Sequence, residues 1–498
     1  MNNDSFSRTE TTTVDHSRDP LGIAWVPTGS SPGTTVSETI STDVFATGRK
    51  RNAANWIARC VDDAKEVVVV SSFLFADKAL EEALLRAAVR GVRVYAVLAA
   101  STRLDREPRD DAEFDQRVRE EHKAMLRRVA GHMLVRSAED FHAKFVVVDP
   151  SGAKPCGWIL TANLTAEALE RNEELVVELT RPEVERVFAW ARHAFWAKAT
   201  HELLDAERLS PCASLAGISE PASEGSILAT CGATHSIRDA ALDVIRGADK
   251  HLVVASFGWQ LDHPVVQALL ARIRSGLVVT ILARVRPSTM PALLALREAG
   301  ARVHGFKWLH AKAIWSDRGD ALVASANFER HGLDQGFELG VRLGGERASA
   351  IGRALDAWAS TAALRLEMGV EVGDVTGEVQ TWSGGRLQNV LVELSREQTL
   401  RTETAPCATM LDTLPPPSVE TPSNGKRFHR TVVRRTIETP VLSPKAVKLD
   451  LPDTAPPPFP LFREPSGRIV AVVEQPNEAR LALSLLRAHG VEAVVRRP

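Results

Sequence analysis

The sequence lacks a long uninterrupted hydrophobic run. No apolar stretch in its 498 residues approaches the roughly 18 residues that a helix needs to cross a membrane. Residues 1–20 also lack the basic start and the apolar core of a secretory signal. Neither a transmembrane segment nor a membrane anchor is visible, and we therefore predict a cytoplasmic protein.

Cysteine is scarce, and its spacing does not indicate metal binding. No two cysteines form a C-x-x-C pair, which disfavours both a disulfide framework and a zinc cage. We therefore expect free thiols, no metal site and no cofactor. The five cysteines are Cys60, Cys156, Cys212, Cys231 and Cys407.

An excess of charge of either sign is also absent, since the formal net charge is -2. This balance argues against a uniformly basic surface but allows a local basic groove, because opposite charges elsewhere cancel in the sum. A nucleic-acid partner therefore remains possible. Hydrophobic residues make up 44% of the chain and charged residues 25%, which is typical of folded proteins, and the length suggests about two to four domains.

A pattern of five residue types occurs twice, and its copies are about 170 residues apart. Residues 141–149 read FHAKFVVVD and residues 309–317 read LHAKAIWSD, so both contain His-x-Lys-x4-Asp. An Asn follows each segment, and a Glu lies eleven positions after each Asn. Because both spacings are kept, coincidence is a poor explanation. The copies consist of His142, Lys144, Asp149, Asn163 and Glu174, and of His310, Lys312, Asp317, Asn327 and Glu338.

Strand and helix patterns alternate around both copies. Residues 67–75 predict a strand buried on both faces, 77–91 a helix, and 92–99 a second strand. A helix at 182–204 is expected to close the first half, and the same order begins again at 251–259. The order predicts an α/β fold with a parallel or mixed sheet, and its repetition predicts two similar domains related by an approximate two-fold axis.

The residue types of the motif suit the cleavage of a phosphodiester without a metal. Residues two apart in a strand share a face, so the His and Lys of each copy project toward one site. One imidazole can attack phosphorus and a second can protonate the leaving oxygen, while ammonium and amide groups hold the phosphoryl oxygens. Glu174 and Glu338 are candidates for fixing the imidazole tautomers. Asp149 and Asp317 are expected to have structural roles.

These residues resemble the HKD signature of the phospholipase D superfamily, over about residues 45–370. The resemblance implies two α-β-α sandwich domains in a pseudo-two-fold arrangement, with His142 as nucleophile and His310 as general acid through a phosphohistidine intermediate. The phosphate ligands that it implies are Lys144, Lys312, Asn163 and Asn327, and the His partners are Glu174 and Glu338. One departure is the loop from Asp to Asn, which takes fourteen positions in the first copy and ten in the second. A milder one is the small residue two positions before each Asn, Thr161 or Ser325.

Composition changes outside the repeats. The basic segment KRFHRTVVRRT at 426–436 fits either an exposed tether or a phosphate-contacting segment. The C-terminal segment is too short for its own core, so we expect it to dock, to dimerise or to bind a protein partner. The predicted divisions are a flexible arm at 1–40, domains at 41–205 and 236–380 joined by a connection at 206–235, a proline-rich basic linker at 381–465, and a small β-α-β segment at 466–498.

Fold and motif do not by themselves fix the substrate. The lack of a membrane segment and the basic C-terminal region favour a nuclease that cleaves nucleic-acid phosphodiester bonds. One alternative is a phospholipase D-type hydrolase or transphosphatidylase that acts on phospholipids. Another is a non-catalytic scaffold that binds nucleic acid, or a subunit of a larger complex.

Overall fold

The computed structural model describes residues 20–28, 37–100, 112–205, 208–215, 217–222, 224–371, 374–375, 377–392, 447–449, 461–463, 469–472 and 493–496. The described chain divides into two compact units. The larger unit holds residues 28–366, and the smaller unit holds residues 20–27 together with those from 367 onward.

Strands and helices alternate along the described chain. The strands of the first part are β1 (Pro20–Pro27), β2 (Val44–Ala46), β3 (Val67–Ser72), β4 (Phe75–Ala76), β5 (Arg93–Ala99), β6 (Leu134–Ala138), β7 (Phe145–Val148), β8 (Cys156–Leu160), β9 (Leu164–Thr165), β10 (Leu175–Glu178), β11 (His201–Asp205) and β12 (Arg208–Pro211). The later strands are β13 (Ile227–Cys231), β14 (Thr234–His235), β15 (His251–Ser256), β16 (Val278–Arg284), β17 (Arg302–Phe306), β18 (Ala313–Ser316), β19 (Asp320–Ala324), β20 (Glu338–Gly344), β21 (Leu364–Glu371), β22 (Gly377–Ser383), β23 (Arg386–Val392), β24 (Val447–Leu449), β25 (Leu461–Arg463), β26 (Ile469–Val472) and β27 (Ala493–Arg496). The helices are α1 (Asn52–Asp63), α2 (Lys78–Val89), α3 (Ala112–Val129), α4 (Ala166–Glu170), α5 (Arg181–His193), α6 (Ser236–Gly247), α7 (Pro264–Arg274), α8 (Met290–Ala299) and α9 (Gly345–Thr361).

The first sheet of the larger unit has the strand order β12-β11-β6-β5-β3-β7-β8-β10-β2. Strands β3, β5 and β6 run parallel, and β7, β8 and β10 continue the sheet in antiparallel pairs. The sheet is buried on both faces, because Val67 and Val69 of β3 pack into one hydrophobic core while Val68 and Val70 pack into another. This double burial explains why the strand sequence is a continuous apolar run.

The second sheet repeats this topology. Its central strands run β17-β16-β15-β18-β19-β20, in the same order as β6-β5-β3-β7-β8-β10. The three strands β15, β16 and β17 are again parallel, and β18, β19 and β20 are again antiparallel. The predicted α/β fold is confirmed, and the equal strand order accounts for the repeated sequence pattern.

Local signals set the ends of several helices. The Asp77 carboxylate caps α2 by accepting a hydrogen bond of 3.1 Å from the Leu80 amide, and Gly91 follows the helix with a φ of 89°. Thr180 and Glu183 form a capping box at the start of α5. Among the described residues, no helix has both the length and the apolar character to cross a membrane.

Two predictions made from sequence need correction. The helix predicted at 182–204 ends at His193, and residues 201–205 form strand β11 after one π-helical turn. The flexible arm predicted at 1–40 is wrong for residues 20–27, because β1 pairs antiparallel with β22 in the smaller unit. The apolar run of β1 finds a partner about 350 residues away, which local composition cannot reveal.

The predicted domain boundaries also shift. The connection predicted at 206–235 contains strands of both sheets, namely β12, β13 and β14. The second domain was expected to reach residue 380, whereas the larger unit ends at Leu366, and the linker predicted from residue 381 begins inside the β22–β23 hairpin. In the C-terminal segment, β26 and β27 pair in parallel. The basic segment at 426–436 and the predicted terminal helix lie outside the described residues.

The motif Asp residues lie at the far ends of their strands from the motif His residues. The Asp149 carboxylate accepts hydrogen bonds from the backbone amides of Lys65, Glu66 and Val67, at 2.7 to 2.9 Å. Asp317 accepts equivalent bonds from the two residues before β15. Each carboxylate therefore fixes the entry of the neighbouring central strand, which is a structural contact.

We expect Asp149→Ala to lower the free energy of unfolding by about 3 kcal/mol or more. Three amides would lose a charged acceptor, and Ala would occupy a left-handed backbone position at φ 45°. Asp149→Asn, which tolerates that backbone and keeps one acceptor oxygen, should cost less. Urea denaturation of both variants gives the comparison, and a loss below about 1 kcal/mol for the Ala variant would contradict the anchoring role.

Candidate active site

Reciprocal backbone contacts join the two halves of the larger unit at the start of each motif. The amide of Ala143 donates to the carbonyl of Phe337, and the amide of Ala311 donates to the carbonyl of Glu173, both at 2.8 Å. Each half therefore presents its His-x-Lys segment to the segment before the Glu of the other half. The residues that form bridges are Phe141 with Phe337, and Glu173 with Leu309.

Each motif His pairs with the Glu of the opposite half. His142 Nδ1 lies 2.6 Å from Glu338 Oε1, and His310 Nδ1 lies 2.7 Å from Glu174 Oε1. Both carboxylates are buried, and the imidazoles are their hydrogen-bond partners. A carboxylate at Nδ1 favours the tautomer with a proton on that atom, which leaves the lone pair on Nε2 in the neutral ring.

Each motif Lys lies against the imidazole of its own half, and Lys312 Nζ is 2.9 Å from His310 Nδ1 as well as close to its Nε2. Lys144 Nζ lies 3.1 Å from His142 Nε2, and Lys312 Nζ lies 3.1 Å from His310 Nε2. Both lysines are almost completely buried. Lys312 also lowers the pKa of His142, and Lys144 lowers that of His310, so each ammonium acts on the imidazole of the other half. The two half-sites therefore form one electrostatic site.

Burial sets the protonation states. It lowers the pKa of His142 and lowers that of His310 to about 3, although the paired Glu carboxylates act in the opposite direction. Burial alone would raise the pKa of both glutamates. The neighbouring His and Lys side chains have the larger combined effect, so the pKa of each glutamate is lowered. Burial also lowers the pKa of Lys312 to about 7. At neutral pH the imidazoles are therefore neutral and the glutamates charged.

Two hydroxyl groups complete the carboxylate environment, and the sequence interpretation had treated them only as small residues. Thr161 Oγ1 donates a hydrogen bond of 2.6 Å to Glu174 Oε2, and Ser325 Oγ donates to Glu338 Oε2. A hydroxyl at the same place in TAN and SAN was the available signal. Each buried carboxylate thus has one oxygen on an imidazole and one on a hydroxyl.

Two phenylalanines pack against the motif imidazoles, and these were also missed. The Phe73 ring lies 5.1 Å from the His142 ring, and the Phe257 ring lies 4.8 Å from the His310 ring, both edge to face. They follow β3 and β15 in the repeated tripeptides SSF and ASF. These rings exclude water from one side of each imidazole and help to keep it neutral.

The motif asparagines occupy equivalent positions in the two halves. Asn163 and Asn327 each follow the last residue of β8 or β19 by three positions. The buried Oδ1 atom of each has no hydrogen-bond partner among the described residues. Buried amide groups normally have partners, so these side chains are suited to contact a ligand.

One group of metal-binding residue types lies outside the motifs. Among the described residues, donor atoms of His193, Glu220 and Cys231 lie within 4.8 Å of one another. His193 and Cys231 are buried and Glu220 is exposed. None of the three is a motif residue, and the chemistry considered below does not involve them.

Residues 57–196 match the protein family described as "Cardiolipin synthase, PLD-like domain". No curated protein matches the chain significantly. The match covers residues 57–196 of the 498-residue chain, and its PLD-like description agrees with the resemblance of the two HKD motifs to the phospholipase D superfamily.

Solved structures with a related fold show low sequence identity. Phosphatidylserine synthase of Haemophilus influenzae Rd KW20 is 12% identical with a TM-score of 0.46, covering 71% of this chain and 92% of the synthase. Polyphosphate kinase of Porphyromonas gingivalis is 15% identical with a TM-score of 0.39, covering 60% of this chain and 47% of the kinase, so the chain spans just under half of that protein. Nuc of Salmonella typhimurium is 20% identical with a TM-score of 0.26, covering 29% of this chain and 98% of Nuc.

The crosswise pairing predicts which imidazole responds to each glutamate. In side-chain nitrogen NMR, both motif histidines should appear as neutral Nδ1–H tautomers at pH 7, and His310 should stay neutral at pH 5 because its pKa is lowered to about 3. Glu338→Gln should shift the His142 resonances and leave those of His310 nearly unchanged. Glu174→Gln should do the reverse, and a shift confined to the His of the same half would contradict the pairing.

Proposed function

We propose that this chain is a metal-independent phosphodiesterase that cleaves nucleic acid through a phosphohistidine intermediate. The observation that carries the proposal is the crosswise set of two His–Glu pairs with two buried lysines. Two imidazoles whose Nε2 atoms adjoin buried lysine side chains supply a nucleophile, a proton donor and ligands for the phosphoryl oxygens, which an in-line displacement at phosphorus requires.

In the first step, the neutral His142 attacks phosphorus through Nε2. The N–P bond forms as the bond from phosphorus to the leaving oxygen breaks. Protonated His310 gives its Nε2 proton to that oxygen, so the leaving group departs as an alcohol. Glu338 stabilises the positive charge that develops on the His142 ring, and Lys144 and Lys312 hold the phosphoryl oxygens.

In the second step, water attacks phosphorus and the N–P bond breaks. His310, neutral after the first step, takes a proton from the water, and His142 leaves as a neutral imidazole. The product is a phosphate monoester, and both rings return to their starting states. His310 is neutral in the free site and takes up its proton when the anionic phosphodiester binds, because the anion and Glu174 together raise the proton affinity of the ring.

Cationic side chains beside His310 support a polyanionic substrate, and so does the basic segment at 426–436. The competing candidate is a phospholipid, and it draws support from the description of the matched family as a cardiolipin synthase domain. A scaffold without turnover is the third candidate. All eight imidazole, ammonium, amide and carboxylate groups of the motifs are present, which argues against a scaffold.

The wild-type protein should cleave DNA or RNA in the presence of EDTA. We expect His142→Ala and His310→Ala to reduce cleavage by about 10³-fold, because each removes a group that acts in the transition state. His132→Ala, which changes an exposed histidine outside the motifs, is the matched control. Hydrolysis of phosphatidyl lipids without cleavage of nucleic acid would assign the alternative substrate class, and binding of nucleic acid without turnover would indicate a scaffold.

The two histidines should respond differently to the leaving group. Release of p-nitrophenolate from bis(p-nitrophenyl) phosphate needs little protonation, so His310→Ala should lose much less activity on this ester than on an oligonucleotide. His142→Ala should lose activity on both. Denaturation at alkaline pH, which preserves the acid-labile N–P bond, followed by peptide mapping should locate the phosphoryl group on His142, and its detection on His310 would reverse the two roles.

A further inference from the structure

The two halves carry different side chains at the edge of each sheet beside its His. In the second half, Arg284 pairs with Phe306 at the ends of β16 and β17, and Lys307 and Trp308 follow. In the first half, the register of β5 and β6 pairs Ala99 with Ala138, and Glu139 and Asp140 follow. His310 lies four positions after Phe306, and His142 lies four positions after Ala138. Phe306 and Ala138 are therefore structurally equivalent.

Positive charge collects on the His310 side, where four side chains form what we call the cationic edge. Arg171 stacks on the Trp308 ring with its Cζ atom 3.7 Å from the ring centroid. Arg286 lies 4.2 Å above the Phe257 ring, the same ring that packs against His310. The members of the cationic edge are Arg171, Arg284, Arg286 and Lys307.

The His142 side lacks this charge at the equivalent described positions. Ala99 replaces Arg284, and the exposed Glu139 and Asp140 replace Lys307 and Trp308. Glu173 and Phe337 occupy matching positions, because each forms the bridge to the opposite half. Arg171 lies two residues before Glu173 and Gln335 lies two residues before Phe337, so Gln335 is the equivalent of Arg171. The pseudo-symmetry that holds for the catalytic residues is thus broken at the edge of the site.

The aromatic rings determine how the arginines can act. A guanidinium stacked on a ring keeps its N–H donors in its own plane, where they can bind two phosphate oxygens at once. Trp308 is already covered by Arg171, so it orients this arginine and is poorly placed to stack on a base. Burial and Glu174 raise the pKa of the nearby Glu173 to about 7, although Arg284 and Arg171 lower it. Glu173 therefore repels a bound anion less than a glutamate with an ordinary pKa would.

We propose that the cationic edge is a subsite for a second phosphate group, one that adjoins the scissile phosphate in a nucleic-acid strand. The inference rests on the proposed function, because the motif lysines are taken to hold the scissile phosphate. In an in-line attack by His142 the leaving group departs toward His310, so the second phosphate belongs to the leaving fragment. The strand then binds in one direction only.

The test compares an oligonucleotide with bis(p-nitrophenyl) phosphate, which has a single phosphate. We expect the double variant Arg171→Gln, Arg284→Gln to lose about ten-fold or more in kcat/KM for the oligonucleotide and less than about three-fold for the ester. Loss of the contact with this one phosphate should also reduce the salt dependence of oligonucleotide binding by roughly 0.7 in log-log slope. The control Arg302→Ala changes an exposed arginine at the other end of β17. It should leave kcat/KM unchanged for both substrates.

A gain of affinity separates this role from a defect in folding. Glu173→Gln removes the carboxylate beside Arg171 and Arg284, so at pH 8 it should lower the KM for the oligonucleotide by about two-fold to three-fold. The KM for the ester should move less. A damaged fold would not improve binding of one substrate.

The outcomes distinguish the subsite from the proposed function. If the wild-type protein turns over neither substrate, the proposed function fails. If it cleaves both but the double variant affects them equally or leaves both unchanged, the function stands and the subsite is overturned. Cleavage of phosphatidylglycerol vesicles without cleavage of the oligonucleotide would reject the second-phosphate subsite together with the nuclease assignment.

Discussion

The site depends on two buried carboxylates that cross from one half of the protein to the imidazole of the other. Glu338 reaches His142 and Glu174 reaches His310, so neither half contains a complete His–Glu pair. The reciprocal backbone bonds at Phe337 and Glu173 hold the two segments in register for this exchange. The two His–Glu pairs therefore form only when the two halves pack together.

Burying this many ionisable groups is unfavourable unless each has partners. The structure supplies them symmetrically, since every carboxylate contacts one imidazole and one hydroxyl, from Thr161 or Ser325. The large apolar core beneath the site, which includes Trp190 and Phe337, provides the stabilisation that offsets this burial. The same low-polarity surroundings lower the pKa of both imidazoles, and a neutral imidazole is what nucleophilic attack requires.

Much of this arrangement could be predicted from sequence, because the His-x-Lys spacing placed His142 and Lys144 together and the same spacing repeats at His310. Both His142 and Lys144 nevertheless lie just before β7, not within it as strand periodicity had suggested. The crosswise direction of the Glu contacts could not be predicted, since residue spacing does not say which half supplies the partner. The contribution of Thr161 was missed because a hydroxyl in a turn has many other uses. Strand β1 was missed for a different reason, namely that its partner β22 is remote along the chain. Local patterns thus predicted the elements, whereas long-range pairing had to be observed.

Covalent linkage of the two halves has a consequence for how they can evolve. In a symmetric dimer of identical chains, any substitution beside one His would appear beside the other, so both approaches to the scissile bond would stay equivalent. In a single chain, Lys307 and Glu139 occupy matching positions yet carry opposite charge. Within one chain the periphery can differ between the halves while the shared carboxylate exchange keeps the centre alike. One chain can thus present different side chains on the two sides of its site, a distinction that strict two-fold symmetry forbids.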